Sequence, residues 1–191
     1  RFSTAANQAY SLDTNGQSVT LASALSSSGG TLTKLGTGTL TLAGANSYTG
    51  ATTVSAGTLQ FSKRNALYGG NTANWQSTKI LVSSGAMLAL SYGGAGEFTA
   101  SDLDLIKGLG STSGGFLSGS ALGIDTSGGD QVYAGAIANP NGGANVLAVR
   151  KLGANRLTLT GANSYTGATT VSGGMLDLAG SLDVGAANAG V

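Results

Sequence analysis

The sequence predicts an all-β chain: a right-handed parallel β-helix (β-solenoid) with one short helix in an insertion. Three observations carry that prediction. Residues 34–59, KLGTGTLTLAGANSYTGATTVSAGTL, recur as residues 151–176, KLGANRLTLTGANSYTGATTVSGGML, with 20 of 26 positions identical at an offset of 117. Short segments alternating small polar and branched apolar residues, each closed by Gly, Asn or Ser, follow one another about every 8–12 residues. Only 9% of the 191 residues are charged while 33 are Gly, against about 25% charged in an ordinary soluble domain.

A coil stacked on copies of itself accounts for all three. Corners turned within one or two residues favour Gly and Asn at positive φ. Equivalent side chains lie about 4.8 Å over one another, where stacked Leu, Val, Thr or Asn are compatible and stacked like charges repel. A sandwich or closed barrel requires neither near-verbatim repetition nor this density of Gly. At about 20–25 residues per coil, the 117-residue offset corresponds to about five coils and the chain to about eight. The handedness follows the parallel-crossover rule.

Along the chain, Val19-Thr20-Leu21 is the first short strand pattern, and Leu12-Asp13-Thr14-Asn15-Gly16 precedes it with turn chemistry. Thr39-Leu40-Thr41-Leu42 and its copy Arg156-Leu157-Thr158-Leu159 alternate with period two, so their leucines share a face. Gly44, Asn46, Tyr48 and Gly50, repeated as Gly161, Asn163, Tyr165 and Gly167, read as structural turn and ladder positions. Thr52-Thr53-Val54-Ser55 and Gly57-Thr58-Leu59-Gln60-Phe61 resume strands, as do Lys79-Ile80-Leu81-Val82 and Met87-Leu88-Ala89-Leu90. Thr99 is placed to cap a helix over about 101–107, with Leu103, Ile106 and Leu109 on one side and Gly108 near its end. The Ser- and Gly-rich stretch from Gly110 to Gly119 reads as a surface loop. Ile124-Asp125-Thr126-Ser127-Gly128 matches the segment at 12–16, but Asp125 precedes Lys151 by 26 residues where Asp13 precedes Lys34 by 21. The surplus falls on the turn-forming Asn139-Pro140-Asn141-Gly142-Gly143. The organisation expected is therefore a repeat unit over 1–64, a spacer or insertion over 65–120, and a second unit over 121–191, in one continuous solenoid.

Composition excludes several functions. A formal net charge of +1 supplies no phosphate-neutralising surface for nucleic acid. Without His or Cys, zinc, haem, iron–sulfur and thiol chemistry and His-based triads are ruled out, and no cofactor is expected. No apolar run reaches the ~18–20 residues of a membrane span. The chain opens at Arg1 with no basic segment followed by an apolar stretch, as expected of a mature chain after signal removal or of a window from something longer.

The candidate reactive groups read mostly as structure. Asp13-Thr14 and Asp125-Thr126 come from duplicated halves, as an aspartic-protease pair would, but neither is followed by the required Gly. An Asp before a turn instead accepts backbone amides two residues on. Glu97, Asp102 and Asp104 are the carboxylates available for polysaccharide cleavage, yet residues two apart on a helix do not face each other, and the nine basic residues are scattered. Gly93-Gly94-Ala95-Gly96-Glu97-Phe98 opens like a calcium-binding nonapeptide but has Phe98 where an Asp ligand belongs. No Lys-Ser or Lys-Thr follows a Gly-rich string at P-loop spacing. Trp75, Tyr68 and Tyr92 are the candidate ligand contacts, as aromatics of the insertion able to stack on sugars.

The string GTGTLTLAGANSYTGATTVSAGTLQ resembles the autotransporter-associated β-strand repeat of passenger regions in large bacterial surface and secreted proteins. Gly36 to Leu59 follows that pattern, and Gly153 to Leu176 follows it nearly as well, with Asn155-Arg156 in place of Gly38-Thr39 of the first copy. The resemblance implies a surface-exposed or secreted β-helical stalk of a Gram-negative-type envelope. It implies adhesive or protective display with the repeat as scaffold, and carries over no catalytic residue. Neither a leader nor the ~10-residue alternating strands of a membrane barrel is written in these residues, so export by that route rests on the resemblance alone.

The function expected is a non-catalytic structural module forming a repetitive stalk or filament. The sequence begins in mid-repeat at Asn7–Thr20 and runs out through Ala186-Ala187-Asn188-Ala189-Gly190 without the polar or helical cap of a finished solenoid. The expected partners are accordingly a further copy stacked end to end or the continuation of a longer array. The alternatives are an adhesin that reads a surface glycan or receptor through 65–120, and a polysaccharide-degrading β-helix.

Overall fold

The computed structural model describes residues 2–182; the expectation about Ala186–Gly190 lies outside them. The described residues wind through seven coils. The first four hold β1 (Ala9–Asp13) and β2 (Ser18–Leu21), β3 (Thr31–Leu35) and β4 (Thr39–Leu42), β5 (Thr52–Val54) and β6 (Thr58–Phe61), and β7 (Ile80–Val82) and β8 (Met87–Ser91). The fifth holds β9 (Gly115–Phe116), β10 (Ser120–Asp125) and β11 (Gln131–Tyr133), the sixth β12 (Leu147–Leu152) and β13 (Arg156–Leu159), and the seventh β14 (Thr169–Val171) and β15 (Met175–Leu178). One helix, α1 (Ala100–Lys107), leaves the stack in the fourth coil.

The strands form three sheets, in the orders β1-β3-β5-β7-β9, β2-β4-β6-β8-β10-β12-β14 and β11-β13-β15. Every ladder between them is parallel. Each strand pairs with its counterpart one coil away, which is the topology of a three-faced parallel β-helix. In the long sheet Ser18 pairs with Thr39, Thr39 with Thr58, Thr58 with Met87, Met87 with Ala121, Ser120 with Leu147 and Val149 with Thr169, steps of 21, 19, 29, 34, 27 and 20 residues.

The core is a set of columns. Leu40, Leu59, Leu88, Leu122 and Val149 stand in register, as do Leu42, Phe61, Leu90 and Ile124, and none is more than 1% exposed. Burying each such side chain contributes about 1.5–3 kcal/mol. Period-two alternation turns the intervening Thr41 and Gln60 outward, where they are half-buried, whereas β8 with Ala89 is buried on both faces. Gly57 shows why corners need glycine. Its φ is +64°, and a Cβ there would lie 2.5 Å from the Gly38 carbonyl of the coil below; Gly174, with φ +62°, repeats the arrangement 117 residues later.

One expectation about the repeat is corrected: the 117-residue offset is not about five whole coils. Lys34 lies on β3 in the first sheet, but its counterpart Lys151 lies on β12 in the long sheet. Leu42, on the long sheet, reaches Lys151 through Phe61, Leu90 and Ile124 in four steps. The copies are therefore four coils and one face apart, and the second is rotated by a third of a turn. The cause is the longer middle coils, whose third side carries 3₁₀ turns at 64–66, 68–70 and 72–74 and then α1. Strands β7, β8 and β9 of the 65–120 stretch continue the two main sheets, so only these excursions are added material.

Candidate functional site

The repeated motif builds one polar corner in each copy. Leu32 and Lys34 are in phase on β3, and Leu147, Val149 and Lys151 are in phase on β12, so alternation turns both lysines inward. Both are 0% exposed. Lys34 Nζ donates to the carbonyls of Leu35 at 2.6 Å and Gly36 at 2.8 Å, and reaches Ala56 of the next coil at 3.5 Å. Lys151 Nζ donates to Leu152 at 2.5 Å, Gly153 at 2.8 Å and Gly173 of the next coil at 3.2 Å. Each ammonium thus saturates carbonyls that the corner removes from the ladder. Burial pushes both ammonium groups below the usual lysine range, opposed by Asp13 for Lys34 and by Asp125 and Asp130 for Lys151.

The turn and ladder positions come next. Asn46 is 0% exposed; its Oδ1 accepts the Leu25 N–H at 2.8 Å and its Nδ2 donates to the Ala66 carbonyl at 2.7 Å. One amide therefore ties three coils together. Asn163 accepts the Ile137 N–H at 2.9 Å but donates within its own segment, to Gly161 at 3.0 Å. Tyr48 and Thr52 share a hydrogen bond of 2.6 Å, matched by Tyr165 and Thr169 at 2.7 Å. A Cβ at Gly44, Gly50, Gly161 or Gly167 would stand 2.8, 2.6, 2.5 or 2.3 Å from backbone of the preceding coil.

The candidate ligand contacts are buried. Tyr68, Trp75 and Tyr92 are each 4% exposed. Tyr68 adopts φ 53°, accepts from Thr52 Oγ1 at 2.8 Å and donates to the Gly50 carbonyl at 3.0 Å; burial pushes its hydroxyl up to about 12. Trp75 Nε1 donates to the Leu67 carbonyl at 3.3 Å, and its ring packs on Phe98 and under Arg64. Tyr92 donates to the Val132 carbonyl at 2.9 Å and meets Tyr133 edge-on. Each ring packs against a different neighbour, Tyr68 on Tyr48, Trp75 on Phe98 and Tyr92 on Tyr133.

Every carboxylate among the described residues is engaged within the chain. Asp13 and Asp125 accept the amides of Asn15 and Ser127, as turn chemistry predicts, at 2.7 and 2.8 Å. Asp102 completes a capping box with Thr99 and pairs with Arg64 at 2.9 Å. Asp104 meets Lys107 at 2.7 Å and the Tyr133 hydroxyl at 2.6 Å, and these hold it below the usual carboxylate range. Glu97 accepts the Gly94 amide at 2.9 Å, Asp130 the Arg156 amide at 2.7 Å, and Asp177 pairs with Arg156 at 3.1 Å. No group of three or more Asp or Glu converges among the described residues, and Phe98 in the Gly93–Phe98 string is fully buried.

Sequence reading passed over the two lysines. The signal was present: a Lys in phase with inward Leu and Val, repeated in both copies, is a buried cation by periodicity alone.

Comparison with known proteins places these corners in context. The passenger-associated-transport-repeat family matches residues 32–61 and 149–178, the segments from β3 to β6 and from β12 to β15. The chain is 32% identical over 171 residues to the adhesin BmaC autotransporter of Brucella suis biovar 1 (strain 1330); the alignment takes in 86% of this chain and 5% of that relative. No solved structure matches.

Proposed function

We propose that this chain, with its two passenger-associated-transport-repeat segments and its likeness to part of an autotransporter adhesin, serves as a non-catalytic structural module, a β-helical stalk segment displayed outside a Gram-negative-type cell. The observation that carries this reading is the use of its polar chemistry. All described carboxylates and both repeat lysines bind groups of the chain itself, leaving no paired acid and base. The division expected from the sequence, two repeat units about a spacer at 65–120, supports a stack that extends by adding coils. A further copy or a continuing array is the partner that such a stack takes.

Immunogold microscopy of intact cells of the source organism tests the proposal. Label standing off the outer membrane without permeabilisation is the expected result. Label that appears only after permeabilisation would overturn it.

The likeness to a protein named as an adhesin favours a second reading, glycan or receptor binding by the module. With Tyr68, Trp75 and Tyr92 buried, such contacts fall to outward side chains.

A further inference from the structure

The outer surface of the long sheet carries a groove of about 330 Å³ that runs along the stack from the second coil to the sixth. Thr39, Thr58, Met87 and Ala121 stand in register along it, one per coil, and Arg150 lines it from the sixth coil. Among the described residues, neither threonine hydroxyl has a hydrogen-bond partner, and the Arg150 guanidinium has no carboxylate, carbonyl or ring partner. That contrasts with Lys79, which lines a second groove but whose ammonium is taken by the Thr49 carbonyl at 3.0 Å and Asn74 Oδ1 at 2.6 Å. Among the described residues, no carboxylate lines the Arg150 groove. Beside it on β10, a Cβ at Gly123 would lie 2.8 Å from Ala89 Cβ and 3.1 Å from Met87 Sδ, so the sheet is closely packed there.

We propose that this groove binds an extended acidic oligosaccharide. Unpaired hydroxyls repeat at the coil spacing of about 4.8 Å, which is close to the advance of one pyranose ring along an extended glycan. Each threonine can therefore meet a ring hydroxyl of a successive sugar. At the sixth coil the guanidinium presents a planar fork to a carboxylate, the geometry in which arginine outperforms lysine. A neutral glycan would leave that cation unused. The inference is separate from the stalk reading, because a stalk without a ligand and a stalk with one place the same chain outside the cell.

Titration of the full chain with an α-1,4-linked galacturonic acid tetramer, followed by amide NMR and calorimetry, tests it. Shifts confined to β4, β6, β8, β10 and β12 are expected, with binding weakened about tenfold or more by Arg150→Gln and unchanged by Arg156→Gln on another face. Thr58→Val is expected to weaken binding by a smaller factor, with the fold intact by circular dichroism. The carboxyl-reduced tetramer is expected to bind at least as weakly as the acid tetramer binds Arg150→Gln. Equal affinity of the two tetramers, shifts elsewhere, or no binding at millimolar ligand would overturn the proposal. So would tighter binding of an oligoglutamate peptide than of the sugar acid.

Discussion

Lys34 and Lys151 place a full positive charge inside a stack whose other columns are leucine, valine and phenylalanine. Such a charge persists only if its donors are satisfied, and the corner carbonyls satisfy them. Lys34→Met keeps most of the volume but strands those carbonyls, so a loss of about 1–3 kcal/mol is expected in urea unfolding; an unchanged midpoint would refute the role. Asn46 makes a sharper comparison. Asn46→Ala leaves a buried N–H and a buried C=O unpaired on two different coils, and should cost about twice the ~1–3 kcal/mol of one such group. Asn163→Ala leaves the Ile137 N–H of a neighbouring coil and the Gly161 carbonyl of its own segment unpaired, so it should cost a similar amount while severing only one link between coils. The roles of the lysines were legible from phase alone, whereas the three-coil reach of Asn46 depends on Ala66, which belongs to a 3₁₀ turn that nothing in the local sequence announces.

Among the elements, α1 was the most readable. Thr99, Asp102 and Gly108 announced its ends, and it spans Ala100–Lys107 with that capping box in place. Thr99→Ala should cost about 1 kcal/mol and speed amide exchange in α1 while leaving the ladders protected; slowed or uniform exchange would contradict a local cap. The neighbouring 3₁₀ turns were not readable, because Tyr68, Gly69 and Gly70 all take positive φ, a run that follows from packing on Tyr48 and Thr52 rather than from propensity. The burial of Trp75 was equally hidden: it depends on Phe98 and Arg64 meeting it from distant points of the chain.

At the scale of the whole molecule, titration of the buried tyrosines sets the alkaline limit. Burial raises Tyr68 from 10.0 to about 12 and raises Tyr48, Tyr92, Tyr133 and Tyr165 in the same direction. A raised folded value means the contribution is complete below pH 10 and is lost as pH climbs through the folded value. Lys34 and Lys151 are lowered, so their contribution grows with pH up to 10.5, a smaller effect from fewer groups. Tyrosinate absorbance and loss of β-sheet circular dichroism should therefore rise together above about pH 10; ionisation of these tyrosines near 10 with the sheet intact would contradict their burial.

The rotation of the second copy is the feature of the whole stack least visible in the sequence. Repetition alone suggests equal coils in line, but steps of 29 and 34 residues in the middle, from Thr58 to Met87 and from Met87 to Ala121, break the phase. The register predicts that outward positions Thr41, Gln60, Ala89, Gly123, Arg150 and Thr170 form one line along the long sheet. Electron–electron dipolar spectroscopy between spin labels at Thr41 and Thr170 measures it directly. Five coil steps predict a narrow distance distribution centred at about 24 Å plus the label arms. If instead the copies stack in phase, Thr158 rather than Thr170 shares that line with Thr41, and a broad or displaced distribution for the Thr41–Thr170 pair would contradict the continuous, rotated solenoid.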